Sequence, residues 1–428
     1  MFAALSSAVS ANDTPRAAEL LAKHPELCAR LNYPAPGGAF GATVLMPAVQ
    51  RENREMIDLL LRHGADIDAR SDWWAGSFGV LDGCEPAFAP FLIERGATVD
   101  AHAAARLGML ERLDALVSAN PELVHARGGD GQTPLHFAAT VEIARYLLEH
   151  GAVIDARDVD HESTPAQWMI RDRQDVARYL VTRGCTTDIL MAAALGASEL
   201  VRRHLDADPA SIRTRVSAEY FPMQDARAGG AIYIWTLGRD KTAHVIAREF
   251  GHDEVFAVLM ERSSEELKLA LACDVGDEAL FIELLSKRPD LAQTLSHEER
   301  HKLVAAAMND NTGAVRLMLA AGWPLDVRGD LGGTPLHFAA WLGNPEMVRE
   351  LLQRGAPVDV RGDQYDMTPL GWALHGSRNS WRKDAGDYAG TVTLLLDAGA
   401  QAPPVTDDLE ASEPVLRVLR RAHSGDGR

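Results

Sequence analysis

The chain has 428 residues, 46% hydrophobic and 24% charged, the proportions of a folded, soluble protein. Its 43 Lys and Arg against 61 Asp and Glu leave a net charge of −18, a field that repels phosphate backbones and argues against nucleic acid as a partner. No apolar run reaches the length of a membrane span, and Cys28, Cys84, Cys185 and Cys273 lie far apart, so they are expected to be reduced core residues of a cytoplasmic protein.

The N-terminus, MFAALSSAVSANDTPR, has neither a basic start nor a sustained apolar core, and no signal peptide is expected. Arginine outnumbers lysine 37 to 6 and alanine is abundant, a composition expected of a bacterial source. The first structural signal is LLAKHPEL at Leu20, a helix end closed by proline; LVSANPEL at Leu116, HLDADPAS at His204 and LLSKRPDL at Leu284 repeat it. Glycines close other helices: Gly64, Gly96, Gly151, Gly184, Gly322, Gly355 and Gly399. Three of their gaps, 64 to 96, 151 to 184 and 322 to 355, are 32 or 33 residues. Such a glycine is expected to stop a helix with a positive φ. DKTAHVIAREFGHDEVFAVLMER from Asp240 completes the series.

Two segments carry the clearest form. GQTPLHFAATVEIARYLLEHGAVIDARD begins at Gly131, and GGTPLHFAAWLGNPEMVRELLQRGAPVDVRGD begins at Gly332. In both, Thr133 or Thr334 serves as N-cap and Pro134 or Pro335 takes the first helical position. The Ala138–Ala139 and Ala339–Ala340 pairs permit close helix approach, and Gly151 and Gly355 end the second helix. The pattern resembles the ankyrin repeat. That resemblance implies an all-α solenoid of about twelve helix–turn–helix repeats with finger loops. Residues 1–400 would form it continuously, and residues 401–428 a half-repeat cap, containing EPVLRVLRR, and a flexible tail. It also implies that His136 and His337 tie adjacent repeats by hydrogen bonds, and that binding uses a concave face built from fingers and first helices.

Residues the repeat does not require are the functional candidates, and three insertions interrupt it. The first, about residues 71–83, places Trp73 and Trp74 in a normally polar finger; they either contact a ligand or pack under a long loop. The second, 213–239, contains AIYIW, read as a strand that pairs with EYFP in an enlarged, hairpin-like finger. Its Tyr220, Phe221, Tyr233 and Trp235 would anchor a partner or form a lid, unless the segment is a self-packed loop. The third, 375–388, separates the helices of the last full repeat and carries Trp381 with Arg382, Lys383 and Asp384. Counted from the capping Thr, the fifth and eighth positions should face the concavity. They are Phe137 and Thr140, Trp168 and Arg171, Phe338 and Trp341, and Trp372 and His375. Clustered Trp, Tyr and Arg are the usual makeup of an interface hot spot.

Two polar patterns are candidates for chemistry. His297-Glu298-Glu299-Arg300-His301 matches H-E-x-x-H, but Ser296 with Glu299 makes a capping box, which places the motif in an exposed first turn and explains it as structure. ARDVDHESTPAQW from Ala156 gathers Asp158, Asp160, His161 and Glu162 in one finger. It reads as a turn ending at the cap Thr164, with a divalent-cation site or an acid–base pair as the alternative. No phosphate-binding loop or nucleophile elbow is present, and neither cofactor nor metal is expected. The expected function is therefore a monomeric scaffold binding a protein or peptide, with the acidic field favouring a basic partner. The alternative is an enzyme or small-molecule binder with a pocket between the groove and the 213–239 insertion, marked by Asp and His side chains converging beneath that insertion.

Overall fold

The computed structural model describes residues 1–329, 331–406 and 409–424. Taken in order, the helices fall into twelve successive pairs, from Phe2–Ser10 with Thr14–Lys23 to Pro369–Asn379 with Tyr388–Asp397, followed by a last helix Glu413–Ser424. Twelve pairs agree with the about twelve repeats expected. No helix among the described residues is long and apolar enough to cross a membrane.

Local chemistry explains the starts and stops. Asp13, Asn53, Thr140, Asp277, Asn311, Asn344 and Asp387 each cap a second helix, accepting the N–H three residues on. A cap of this kind stabilises its helix by about 1 kcal/mol. The seven register glycines all adopt φ between 86° and 99°, the left-handed region where a Cβ is strained.

The two TPLH blocks are stitched to the next finger by one device. His136 Nδ1 accepts the Thr133 N–H at 3.1 Å, and its Nε2 donates to the Ser163 carbonyl at 3.1 Å. His337 repeats this with Thr334 and the Met367 carbonyl, both at 3.1 Å. Burial lowers His136 to about 3 and His337 to about 4, so both imidazoles are neutral structural pins. Arg127 and Arg328 add a second stitch, donating to their own finger (Gly131 and Gly332 carbonyls) and to the next (Arg157 and Arg361 carbonyls).

The chain forms two compact units: Met1–Met191 with Ser217–Thr236, and Ala192–Val216 with Leu237–Arg428. The first holds six helix pairs and buries a run of Leu, Ile, Val and Ala, such as Leu60, Leu113, Leu147 and Leu180. The second holds five complete pairs after the helix Ser198–Ala207. Its core runs from Leu269 through Met318, Phe338 and Trp372 to Val415 and Leu419 of the last helix. That helix packs against the core, and the Ser412 N–H before it donates to Ser377 Oγ at 2.8 Å. The tail expected after Ser424 lies outside the described residues.

The 213–239 insertion differs from the hairpin expected. No strand forms in it; the only bridge nearby joins Arg215 to Thr242, and AIYIW instead enters a helical turn, Tyr233–Thr236. A strand there would have needed a pairing edge, whereas residues 217–236 find backbone and side-chain partners on the first unit's own fingers. Glu162 accepts the Gln224 and Asp225 N–H groups, the Gly229 N–H donates to the Asp160 carbonyl at 2.8 Å, and the Ile232 N–H to Ser163 Oγ at 3.1 Å. Tyr233 is fully buried, its hydroxyl donating to Asp188 at 2.8 Å, and burial raises its phenol well above the ordinary value. Residues 217–236 of the insertion are thus a patch packed on the first unit's fingers, and Tyr233 presents nothing to a partner.

Candidate functional site

In the second unit, the aromatic positions expected to face a partner come together around one cavity of about 540 Å³. Phe338, Trp341, Trp372, His375 and Trp381 line it, joined by Arg239, Met308, Leu331, Tyr365 and Met367. Trp372 forms the floor: only 5% exposed, it meets the edges of Phe338 at 5.1 Å and His337 at 5.2 Å. Trp341 is the hub, lying nearly parallel to His375 at 5.6 Å and edge-on to Trp372 and Trp381 at 6.4 and 6.3 Å. Trp381 (73% exposed) and Tyr365 (55%) form the rim.

The geometry depends on two glycines and a clamp. A Cβ on Gly376 would lie 2.5 Å from the Trp341 carbonyl, and one on Gly333 would lie 2.8 Å from Trp372 Cη2. The Tyr388 hydroxyl then donates to the Trp341 carbonyl at 3.0 Å. The third insertion begins by extending the first helix to Asn379 and then turns back. Arg382 pairs with Asp310, and the Asp387 N–H donates to the Gly343 carbonyl at 2.8 Å, so Trp381 stands on a tethered segment. Beside the pocket, sharing Met367 and His375, runs a groove of about 760 Å³ whose charged residues are Asp359, Asp366, Glu410 and Arg361. Arg361 is already paired with Asp366 at 3.2 Å.

The first unit gathers polar groups instead. One carboxylate oxygen from each of Asp130 and Asp160 and one ring nitrogen of His161 lie within 4.8 Å of one another, and all three residues are buried. Trp73 Nε1 donates to Asp130 at 3.0 Å, and His161 Nδ1 donates to the Gly230 carbonyl of the insertion at 2.7 Å. Asp158 is fully engaged, accepting Trp168 Nε1 at 2.7 Å together with the His161 and Ser163 N–H groups. Burial pushes Asp130 up to about 6; His161 opposes the rise, while Asp160 and Asp158 add to it. Burial also raises Asp158, against its hydrogen bond from Trp168. The convergence of Asp and His beneath the insertion is thus present. A shallow depression of about 590 Å³ lies beside it, between Arg157, Asp158, Val159 and Glu162 of the finger and Gln224, Asp225 and Ala226 of the insertion.

The remaining candidates sit in the first unit and are largely spent on its packing. Trp73 meets the edge of Phe40 at 4.9 Å, Trp74 lies beneath Arg227 at 4.2 Å, and Arg171 donates to the Thr236 carbonyl at 2.7 Å. Phe221 packs edge-on to Tyr233 at 5.3 Å, and Tyr220 is half-buried. Trp235 alone stays well exposed, at 67%. The H-E-x-x-H segment opens the helix His297–Met308 with the expected Ser296–Glu299 capping box. His297 is exposed while His301 is buried, and the buried Glu299 pairs with Arg213.

Reading only the helix positions misses the finger residue three before each capping Thr. That residue is Asp130 before Thr133, His161 before Thr164, Leu331 before Thr334 and Tyr365 before Thr368. Neighbouring fingers bring these residues together: Asp130 meets His161 in the polar cluster, and Leu331 and Tyr365 line the same cavity. Comparing this position between repeats would have found Asp130, Leu331 and Tyr365 and tied them to His161.

Comparison with known proteins agrees with the helix pairing. A family model described as "Ankyrin repeats (3 copies)" matches residues 101–191, 269–361 and 303–402, and one described as "Ankyrin repeat" matches 40–72. No curated protein matches the chain. Among solved structures, the crystal structure of the human ASB11 ankyrin repeat domain is similar at 19% identity, covering 71% of this chain and 99% of that one, with a TM-score of 0.25. With more than half of its residues matched by the family model, the chain belongs to the ankyrin-repeat proteins.

Proposed function

We propose that this chain is a recognition scaffold whose second unit takes a large apolar side chain of a protein or peptide partner in the tryptophan-lined cavity. The observation that carries the reading is the cavity itself, where Trp341, Trp372, Trp381, Tyr365 and Phe338 surround about 540 Å³. Its rim is exposed while its floor and backbone are fixed, so little ordering cost is left for binding. The adjoining groove carries Asp359, Asp366 and Glu410 against one already paired Arg361, which supports a partner with Lys or Arg beside its apolar anchor.

A randomised peptide library selected on the full chain tests this. Selected peptides should share a Trp, Phe, Leu or Met next to basic residues. The Trp341→Ala/Trp381→Ala variant should bind them about 30-fold more weakly, the loss of one hot-spot contact of about 2 kcal/mol. Peptides without that pattern, or with equal affinity for the variant, refute the reading. A small-molecule or catalytic site in the first unit is a second reading, favoured by the convergence of Asp130, Asp160 and His161 beneath the insertion.

A further inference from the structure

The buried cluster of the first unit has a charge problem that its neighbours do not solve. Asp130, Asp158 and Asp160 are all buried, yet among the described residues no Lys or Arg forms an ion pair with any of them. Arg127 and Arg157, which flank the same fingers in sequence, spend their guanidinium groups on backbone carbonyls. Asp158 is compensated by three hydrogen-bond donors, but Asp130 has only Trp73, and Asp160 only the Gly229 N–H at 3.2 Å. Buried carboxylates persist when paired or when they coordinate a cation.

The histidine points to the second solution. Because His161 Nδ1 donates to Gly230, Nε2 lies on the ring's other edge, on the side of the Asp160 carboxylate. That nitrogen has no hydrogen-bond partner among the described residues, its side chain is nine-tenths buried, and the nearest carboxylate oxygen, Asp160 Oδ2, is 3.6 Å away. A ring nitrogen facing buried carboxylates needs positive charge between them, and a bound cation supplies it. Fixing one imidazole nitrogen on a backbone carbonyl is also how metal-ligating histidines are commonly oriented. We infer that Asp130, Asp160 and His161 bind a divalent transition-metal ion such as zinc, which joins two neighbouring fingers and the 217–236 insertion. Two carboxylates and one imidazole, with one position left for water, suit zinc; calcium takes six to eight oxygens. Gly229 is part of the fit: a Cβ there would lie 3.3 Å from both Asp160 Oδ2 and His161 Cε1, so the insertion backbone closes over the ligands.

The test uses the full chain, stripped with a chelator, titrated calorimetrically with zinc chloride and melted with and without zinc. One ion per chain at micromolar affinity or tighter, with a raised melting temperature, is expected. Asp130→Asn keeps an oxygen for Trp73 and should weaken binding about 100-fold, the upper range for losing even an outer-shell partner; His161→Gln should do the same. The inference is overturned if the wild type binds no stoichiometric ion. Unchanged affinity in both variants also overturns it, because the ion is then held elsewhere. So does a wild-type melt indifferent to zinc combined with a higher melt for Asp130→Asn, because a proton then closes the cluster.

Discussion

The two TPLH blocks are the same machine carrying different cargo. In each, a histidine pins the next finger by its carbonyl and an arginine stitches two fingers together. The residues that the scaffold leaves free differ. Three positions before the capping Thr, the first unit has Asp130 and His161, and the second has Leu331 and Tyr365. Seven positions after it, the first unit has Thr140 and Arg171, and the second has Trp341 and His375. In the first unit, the insertion covers the result and buries it as a polar cluster; in the second, the aromatic side chains are left around an open cavity. The two units differ at positions where the repeat makes no demand.

The largest effects should come from removing what either cluster is built on. Asp158→Ala leaves the Trp168 indole and two backbone N–H groups without their acceptor. Each unsatisfied buried donor costs about 1–3 kcal/mol, so a loss of about 3–5 kcal/mol is expected, with hydrogen-exchange protection falling first in residues 158–163. Trp372→Ala should cost a similar 3–5 kcal/mol in urea denaturation, because its ring is the buried floor between Phe338 and His337. If Trp372→Ala were stability-neutral, the cavity would not have the rigid floor that distinguishes it from the polar cluster.

Much of this plan is legible in the sequence, for physical reasons. The seven register glycines, the capping residues and the TPLH histidines act within a few residues or on the next repeat, so local pattern fixes them. Phe338, Trp341, Trp372 and His375 were legible as a group because equivalent positions in stacked repeats become neighbours, and Trp381 was marked by the insertion that carries it. The 213–239 insertion was not. Its conformation depends on Glu162, Asp160 and Ser163, some 60 to 70 residues away, and β-rich composition in AIYIW lost to those partners. Asp130 was missed for a related reason: its only mark is standing where Gly131 and its finger leave a side chain free to meet the next finger.

Acid sharpens what the two blocks have in common. The folded pKa is about 3 for His136 and about 4 for His337, against about 6.5 in an unfolded chain. Below pH 6.5 the unfolded state therefore binds more protons, and the histidines' contribution to stability, full above that pH, is lost as the pH falls. Each should contribute a slope of up to about 1.4 kcal/mol per pH unit, ending near pH 4 for His337 and near pH 3 for His136. His337→Gln should flatten urea midpoints between pH 6 and 4 by that amount; an unchanged slope would mean that this pin does not hold a neutral imidazole.

The smallest stability effect should belong to the residue with the clearest expected role in binding. Trp381 is largely exposed and its segment is held by Arg382 and Asp387 rather than by its own ring. Trp381→Ala should therefore change the melting free energy by no more than about 0.5 kcal/mol, as surface substitutions do. The same substitution removes one wall of the cavity facing Trp341 at 6.3 Å. Peptide affinity should fall about tenfold or more while the melt stays put. Trp235 of the first unit is the matched control, nearly as exposed but without a ring stacked on another aromatic among the described residues. Trp235→Ala should leave both quantities unchanged. A variant pair that behaved identically would mean that exposure of a tryptophan, and not its place in the repeat, decides what this protein binds.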